Sequence, residues 1–221
     1  MQLPLSGPFF PPRSGKPARQ AVIFLHGLGA DGDDLIGLAP YFAQALPDAE
    51  FLSPHAPYPC DMAPFGRQWF SLQDFSPDSI AAGLDAVRPV FASYLDAVLE
   101  SRGLAAADVA LVGFSQGTML SLHCALRRQN PVAAVVGFSG LLAAPERLPD
   151  EIAARPPVLL IHGEDDPVVA FDFMDLAATA LDALGVPVET LARPGLPHSI
   201  DDEGLARGIE FVVRGFNKRQ G

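Results

Sequence analysis

The sequence has no apolar run that approaches the roughly 20 residues a membrane-spanning helix requires, although nearly half of its residues are hydrophobic. It has two cysteines, Cys60 and Cys124, which fit neither a disulfide framework nor a metal pair at short spacing. It also lacks a basic cluster and carries a formal net charge of −11, which argues against a nucleic-acid surface because such surfaces neutralise phosphates with Lys and Arg. These absences predict a soluble protein of the reducing cytoplasm, with no nucleic-acid partner and no membrane span.

The N-terminal segment shows no sign of a signal peptide. Its first twenty residues are rich in proline and are interrupted by Arg13, Lys16 and Arg19, with no apolar stretch followed by a cleavage site. A length of 221 residues suits one well-buried domain and is too short for two ordinary ones. We therefore expect one domain over residues 21–221, preceded by a proline-rich segment, residues 1–20, that packs on the domain or extends from it.

Strand-length apolar runs alternate with helical patterns from residue 21 onward. This alternation is typical of an α/β fold with a mostly parallel sheet and helices on both faces, and several runs lack polar alternation, as strands buried on both faces should. The predicted strands are residues 21–25, 50–52, 109–114, 132–138, 158–161 and 188–191. Apolar stripes predict one helix that starts at Ser76-Pro77-Asp78 and is kinked or split at Pro89, one that ends at Gly185, and one over residues 205–216.

Residues 53–77 are dense in proline and show no sustained periodicity, so they predict a long loop. Loops of this length in compact domains are usually functional, and the apolar aromatic Trp69 suggests the wall of a binding cleft. The alternative is that Trp69 only seals the edge of the core.

The most informative motif is a G-x-S-x-G pentapeptide, Gly113-Phe114-Ser115-Gln116-Gly117. A strand-like run leads into it and a helix-like segment leads out, which is the context of a nucleophile elbow. In so tight a turn, a Cβ two residues either side of the serine would clash, so Ser115 is predicted to be a strained, exposed nucleophile between two glycines. Ser139 also follows a predicted strand, but it lacks the second glycine and is interpreted as structural.

A serine nucleophile needs a neighbouring base, and the base needs a third group to fix its tautomer. In folds with this elbow the order is serine, acid, histidine, and of the five histidines only His162 and His198 follow Ser115. No acidic residue near a strand end separates His162 from the serine, whereas His198 lies in a loop before the last predicted helix, at the edge of the sheet where ligands bind. His198 is therefore the predicted base.

The acid is expected in the turn after the strand at residues 158–161. Three carboxylates compete there: Glu164, Asp165 and Asp166. Pro167 restricts the residue before it to extended conformations, which places Asp166 only modestly ahead of Asp165. The residues alone leave this choice open.

Acyl chemistry also needs N–H donors for a tetrahedral oxyanion. The backbone of Gln116, directly after the nucleophile, is one predicted donor, and Leu28, in the glycine-rich loop after the first clear strand, is the other. That loop lacks both the dinucleotide G-x-G-x-x-G motif and the P-loop lysine, which disfavours phosphate binding.

Segments in this order resemble the phospholipase/carboxylesterase family of α/β-hydrolases, which includes acyl-protein thioesterases. They are residues 25–32, 113–117, 162–169 and 197–200, with Gln68-Trp69-Phe70 in the long loop. The resemblance covers nearly the whole chain from about Pro12 to the last helix. It implies an α/β-hydrolase fold, and the short chain leaves little room for a separate cap domain.

The resemblance also implies a triad of Ser115, Asp166 and His198, and so selects Asp166. The Leu28 and Gln116 amides would form the oxyanion hole, and Trp69 would line the acyl pocket. The expected activity is that of a serine carboxylesterase of the bacterial branch, which acts on short- to medium-chain esters or amphiphiles through an acyl-enzyme and needs no cofactor. A homodimer is plausible from the family, although no sequence feature demonstrates it.

The sequence allows four other interpretations. A thioesterase or lysophospholipase would use the same triad; a dienelactone hydrolase would need a cysteine where Ser115 stands; and a ligand-binding protein without turnover would not need candidates for every catalytic role. A metal site is disfavoured because its potential ligands lack fixed helical spacing. Those ligands are His162, Glu164, Asp165, Asp166, His198, Asp201 and Asp202.

Overall fold

The computed structural model describes residues 4–217, and its centre is a seven-stranded sheet. The strands among these residues are β1 (Phe9–Phe10), β2 (Gln20–Leu25), β3 (Ala49–Leu52), β4 (Tyr58–Pro59), β5 (Arg67–Gln68), β6 (Val109–Phe114), β7 (Ala134–Phe138), β8 (Val158–Gly163) and β9 (Val188–Arg193). The sheet order is β1-β3-β2-β6-β7-β8-β9, with β1 antiparallel to β3 and the other neighbours parallel. This mostly parallel sheet confirms the predicted fold class.

Both faces of the sheet are buried because its central strands are apolar on both sides. In β2, Val22 and Phe24 belong to one hydrophobic cluster, whereas Ile23 and Leu25 belong to the other. Each fully buried side chain of this kind stabilises the fold by about 1.5–3 kcal/mol. The apolar runs without alternation are therefore strands covered on both sides, as predicted.

Helices cover the sheet and connect its strands. Within residues 4–217 the α-helices are α1 (Gly32–Leu35), α2 (Ala39–Ala45), α3 (Pro77–Arg102), α4 (Gln116–Leu126), α5 (Leu148–Glu151), α6 (Asp172–Ala183) and α7 (Asp202–Asn217). The three helices predicted from apolar stripes correspond to α3, α6 and α7. In the described part of the chain, no helix combines the length and the apolar character needed to span a membrane.

Helix α3 begins and ends as its sequence predicts. The Ser76 hydroxyl accepts the N–H of Ser79 at 3.3 Å, and the helix stops at Gly103, whose φ is 65°. Pro89 was predicted to kink or split this helix; the split is wrong, because α3 runs through this residue. Val87 and Phe91 on either side are fully buried, so core packing offsets the hydrogen bond that proline removes.

Two short pairings were not predicted. Strand β1 brings the proline-rich start of the chain onto the sheet edge, where Phe9 pairs with Leu52 and Phe10 with Phe51. Strands β4 and β5 form an antiparallel hairpin inside the long segment after β3. Two residues are too few to show a period, so these elements left no pattern in the sequence.

Candidate active site

Ser115 lies in the turn between β6 and α4, in the strained backbone that the pentapeptide predicts. Its φ is 54° and its ψ −116°, a conformation that residues with a side chain rarely adopt. A Cβ at Gly117 would overlap the Leu25 carbonyl oxygen at the end of β2, and one at Gly113 would fall on the Gly117 backbone. Both flanking glycines are therefore required by close backbone contact.

Ser115 is less exposed than the motif predicts. Ser115 is 9% exposed, because the backbone of the loop after β2 lies beside it: a Cβ at Gly27 would be 3.4 Å from the Ser115 Cβ. The Ser115 N–H donates to the Phe138 carbonyl at 2.9 Å, which fixes the turn to the end of β7.

His198 and Asp166 form a direct pair. His198 Nδ1 lies 2.7 Å from Asp166 Oδ2, so Nδ1 carries the proton and Nε2 is free to act as a base. The His198 ring also packs against Phe114, with centroids 4.8 Å apart, which brings the imidazole next to the residue before Ser115. Within residues 4–217, no hydrogen bond joins the side chains of Ser115 and His198.

The Asp166 carboxylate is buried, and both of its oxygens accept hydrogen bonds. Its Oδ1 accepts the N–H groups of Val168 and Val169 at 2.8 and 2.9 Å. Burial alone would raise the pKa of Asp166, but the hydrogen bonds from His198, Val169 and Val168 outweigh it and hold this pKa below its usual value. Asp166 is thus held as an anion beside the imidazole.

The other two carboxylates of this turn, and the other histidine that follows Ser115, have different surroundings. Glu164 and Asp165 are exposed, whereas Asp166 is buried. His162 is buried, and its Nε2 donates to the Val169 carbonyl at 2.8 Å and lies 3.3 Å from Asp166 Oδ2. His162 therefore supports the turn that carries Asp166, a role with no signal in the sequence.

The two predicted oxyanion donors lie at the start of α4 and in the loop after β2. Gln116 is the first residue of α4, where a backbone N–H has no acceptor within the helix. Leu28 follows Gly27 in the loop after β2. The next N–H, that of Gly29, donates to the Arg67 carbonyl at 2.9 Å, and the Arg67 N–H donates to the Ala30 carbonyl at 2.8 Å. Strand β5 thereby holds the loop in place.

Trp69 does not line an open cleft. It has no exposed surface, and its ring packs 5.4 Å from His26 and 6.3 Å from Phe91, measured between centroids. The structure favours the alternative in which Trp69 seals the core. The sequence could not distinguish the two, because both partners are distant along the chain.

A further group of possible metal ligands lies outside this site. Asp31, Asp33 and His55 bring three ligand atoms within 4.8 Å of one another. Two of these side chains already have structural roles: Asp31 accepts the Asp33 N–H at the start of α1, and His55 Nδ1 accepts the Gly32 N–H. The grouping is thus explained by local capping.

The chain is similar to known proteins that are named esterases and thioesterases. The chain is similar to Esterase YpfH of Escherichia coli (strain K12), with 32% identity over 89% of this chain and 83% of the relative. It is 27% identical to Acyl-protein thioesterase 1 of Debaryomyces hansenii, over 90% of this chain and 92% of that one. The crystal structure of esterase PE8 superposes with a TM-score of 0.91 and 40% identity, over 95% of this chain and 98% of PE8.

The match to a family is equally extensive. The model of the phospholipase/carboxylesterase family covers residues 12–214, which include the elbow, the Asp166 turn and the His198 loop. By this match, the chain belongs to the phospholipase/carboxylesterase family of α/β-hydrolases.

Proposed function

We propose that the protein is a serine carboxylesterase that hydrolyses short- to medium-chain acyl esters through an acyl-enzyme on Ser115. The observation that carries the proposal is the hydrogen bond between His198 and the buried Asp166, with the His198 imidazole packed against Phe114 beside the strained Ser115. The relatives named esterase support the same reaction class.

In the proposed mechanism, His198 Nε2 removes the Ser115 proton as the serine oxygen attacks the ester carbonyl. Asp166 keeps the proton on Nδ1 and stabilises the imidazolium that forms. Collapse of the tetrahedral intermediate releases the alcohol, which takes the proton from His198. Water activated by His198 then hydrolyses the acyl-enzyme and frees the acid and Ser115.

Two backbone N–H groups stabilise the oxyanion in this mechanism. The Gln116 N–H lies at the positive end of α4, and the Leu28 N–H lies on the loop that contacts Ser115. The chain's own side chains and backbone supply every step, so the proposed reaction needs no cofactor or metal.

The substrate is proposed to be a small ester or an amphiphile with an accessible ester. Two exposed apolar side chains near the site support an amphiphile. Val168, two residues after Asp166, is 68% exposed, and Phe65, 73% exposed, precedes the Gly66 that packs on Gly29. The similarity to an acyl-protein thioesterase supports thioesters as a second substrate class for the same triad.

We further propose that residues 21–221 form one domain with the N-terminal segment packed on it, and that the enzyme works in the cytoplasm. The pairing of β1 with β3 supports the packing of that segment. A homodimer is compatible with the proposal, and no step of the mechanism depends on it.

The assignment is tested with a chain-length series of 4-nitrophenyl esters and thioesters, run beside a lysophospholipid. Ser115→Ala should lower kcat/KM by at least about 10³-fold and leave the fold intact. Ser139→Ala is the matched control, because Ser139 also has a positive φ at a strand end and is buried. It should hydrolyse esters as the wild type does.

Labelling separates an enzyme from a binding protein. A fluorophosphonate should label wild-type protein at one site per chain and leave Ser115→Ala unlabelled. Near-normal activity of Ser115→Ala would refute the assignment. Tight ligand binding with neither labelling nor turnover would favour a non-catalytic receptor.

A further inference from the structure

The side chain of Gln116 is buried beside the nucleophile and binds the segment that contains Trp69. It has no exposed surface. Its Oε1 accepts the Trp69 N–H at 2.8 Å, and its Nε2 donates to the Phe70 carbonyl at 2.7 Å. One side-chain amide therefore binds a backbone donor and a backbone acceptor of two neighbouring residues, which requires a side chain with both functions.

Trp69 continues the connection toward the other oxyanion donor. Its indole Nε1–H donates to the His26 carbonyl at 3.0 Å, and its ring packs on the His26 imidazole. His26 is the residue between β2 and the loop that holds Leu28. A chain of hydrogen bonds thus leads from Gln116 through Trp69 to the start of that loop.

His26 extends this connection into the loop itself. Its Nε2 accepts the Ala56 N–H at 3.0 Å, so the proton is on Nδ1, which donates to the Gly27 carbonyl at 2.7 Å. Burial lowers the pKa of His26, which favours this neutral form. The peptide group that His26 binds is the one between Gly27 and Leu28, and its N–H is the proposed oxyanion donor.

We propose that Gln116, Trp69 and His26 form a strut that sets the distance between the Leu28 and Gln116 backbone N–H groups. The proposal rests on the serine esterase function above. Gln116 then has two roles: its main chain donates to the oxyanion, and its side chain is a positioning group for the other donor. Oxyanion donors act only when both lie about 2.7–3.1 Å from the developing charge, and a misplacement of about 1 Å can cost about 100-fold in rate.

Substitution at position 116 tests the positioning role of the side chain separately from the oxyanion donor, because every residue except proline keeps the backbone N–H. Gln116→Met removes both side-chain hydrogen bonds at similar volume. It should lower kcat about 10- to 100-fold with little change in KM. A role confined to anchoring the segment at Trp69 would leave kcat near the wild-type value.

Trp69 supplies a readout that does not depend on activity. It is the single tryptophan of a chain that also has three tyrosines, so emission excited where tyrosine does not absorb reports the surroundings of Trp69 alone. Gln116→Met should shift or quench this emission in a protein whose circular dichroism shows a retained fold. Gln73→Glu and Gln73→Met are matched controls, since Gln73 lies in the same segment with an exposed side chain.

Gln116→Glu tests the pairing pattern through pH. Its protonated carboxyl can accept from Trp69 and donate to Phe70, whereas the ionised form has no donor for the Phe70 carbonyl. Burial raises the pKa of such a carboxyl, so the kcat of this variant relative to wild type should fall as pH rises. Titratable groups on the elements around this position include His26, His198 and Asp166, and division by the wild-type rate at each pH cancels their contribution.

Three results would overturn the strut. The first is an altered Trp69 emission in Gln116→Met with kcat near wild type, which reduces Gln116 to an anchor. The second is an unaltered emission. The third is a constant Gln116→Glu to wild-type ratio across pH. If the esterase function itself is wrong, Ser115→Ala will hydrolyse esters as fast as the wild type. That result differs from the three above, and it would also refute the strut.

Discussion

His198 Nδ1 lies 2.7 Å from one oxygen of Asp166, while the other oxygen accepts the backbone N–H groups of Val168 and Val169. The Asp166 side chain has no exposed surface. The carboxylate is therefore held by the turn that carries it, with one oxygen directed at the imidazole. Each oxygen accepts from a different set of donors. Replacement of the aspartate by the isosteric asparagine should therefore disturb one set or the other.

Asp166→Asn should lower kcat/KM by about 10³- to 10⁴-fold. If its amide nitrogen faces His198, it opposes the Nδ1 proton and favours the wrong tautomer; if it faces Val168, it opposes two N–H donors. The measurement is steady-state hydrolysis of a 4-nitrophenyl ester at pH 7. Thermal unfolding of the same sample checks that the turn survives.

Asp165→Asn is the control for this substitution. Asp165 is the adjacent carboxylate and is exposed, so its loss should leave kcat/KM unchanged. An equal loss of activity in both variants would contradict the assignment of the acid.

Asp165 and Asp166 show how much of the candidate site could be predicted from the sequence alone. The elbow was predictable because its strand, glycines and helix are contiguous, and the chain order of a triad then selected His198. The acidic member could not be predicted from the residues alone, because three carboxylates lie in one turn and they differ in burial, which the sequence does not show. Family resemblance selected Asp166, which in the structure is the buried carboxylate of the three and is paired with His198.

The features that the sequence missed depend on contacts between distant segments. Trp69 was expected at a cleft wall, yet Phe91 and His26 enclose it from other elements. The Gln116 side chain meets Trp69 across 47 positions of sequence. No local period or motif encodes such a contact.

Gly117→Ala should destabilise the protein strongly. The added methyl would overlap the Leu25 carbonyl oxygen, a backbone atom that cannot rotate away. We expect a loss of about 3 kcal/mol, or a melting temperature lower by about 6–12 °C. Differential scanning calorimetry measures it.

Gly37→Ala provides the comparison for a glycine without contacts. Nothing lies within 4 Å of a Cβ at Gly37, so alanine should be neutral or should stabilise the fold by about 0.5 kcal/mol. Equal melting temperatures for Gly117→Ala and Gly37→Ala would refute the packing argument.

Arg102→Met should destabilise the fold through Glu50. Arg102, at the end of α3, donates to both oxygens of Glu50, on β3, at 2.9 and 3.3 Å. Glu50 is buried while Arg102 keeps a quarter of its side chain exposed. Removal of the arginine should therefore cost about 2 kcal/mol, less than a fully buried pair.

The double variant Glu50→Leu/Arg102→Met tests the cause. It also removes the buried carboxylate that Arg102→Met leaves without its partner, so it should recover most of the stability lost in Arg102→Met. Urea unfolding of the wild type, the single variants Glu50→Leu and Arg102→Met, and the double variant gives the coupling energy. Additive losses would show that the two side chains act independently.

Stability should fall between pH 7 and pH 5 because of His123. Burial, and then the charge of Arg127, lower the pKa of His123 from 6.5 to about 4, although Asp85 acts in the opposite direction. His123 Nε2 lies 3.0 Å from Asp85, and its Nδ1 is buried with no partner among the described residues. The folded state therefore favours the neutral ring.

The direction of this change in stability follows from proton binding to His123. Between about pH 4 and 6.5 the unfolded chain binds a proton at His123 that the folded chain does not, so acid favours unfolding. At about 1.4 kcal/mol per pH unit, the loss on going from pH 7 to pH 5 is about 2 kcal/mol. Asp166 contributes at lower pH: its stabilisation is present above its ordinary pKa and is lost as pH falls through its lowered folded value.

Urea titrations of wild type and His123→Gln at pH 7 and pH 5 measure the effect. Glutamine can still donate to Asp85 but does not titrate, so the variant should lose less stability than the wild type over this interval. It should retain some dependence, because burial also lowers the pKa of His26 and that group contributes in the same direction. The same loss in both proteins would show that His123 does not carry the acid sensitivity.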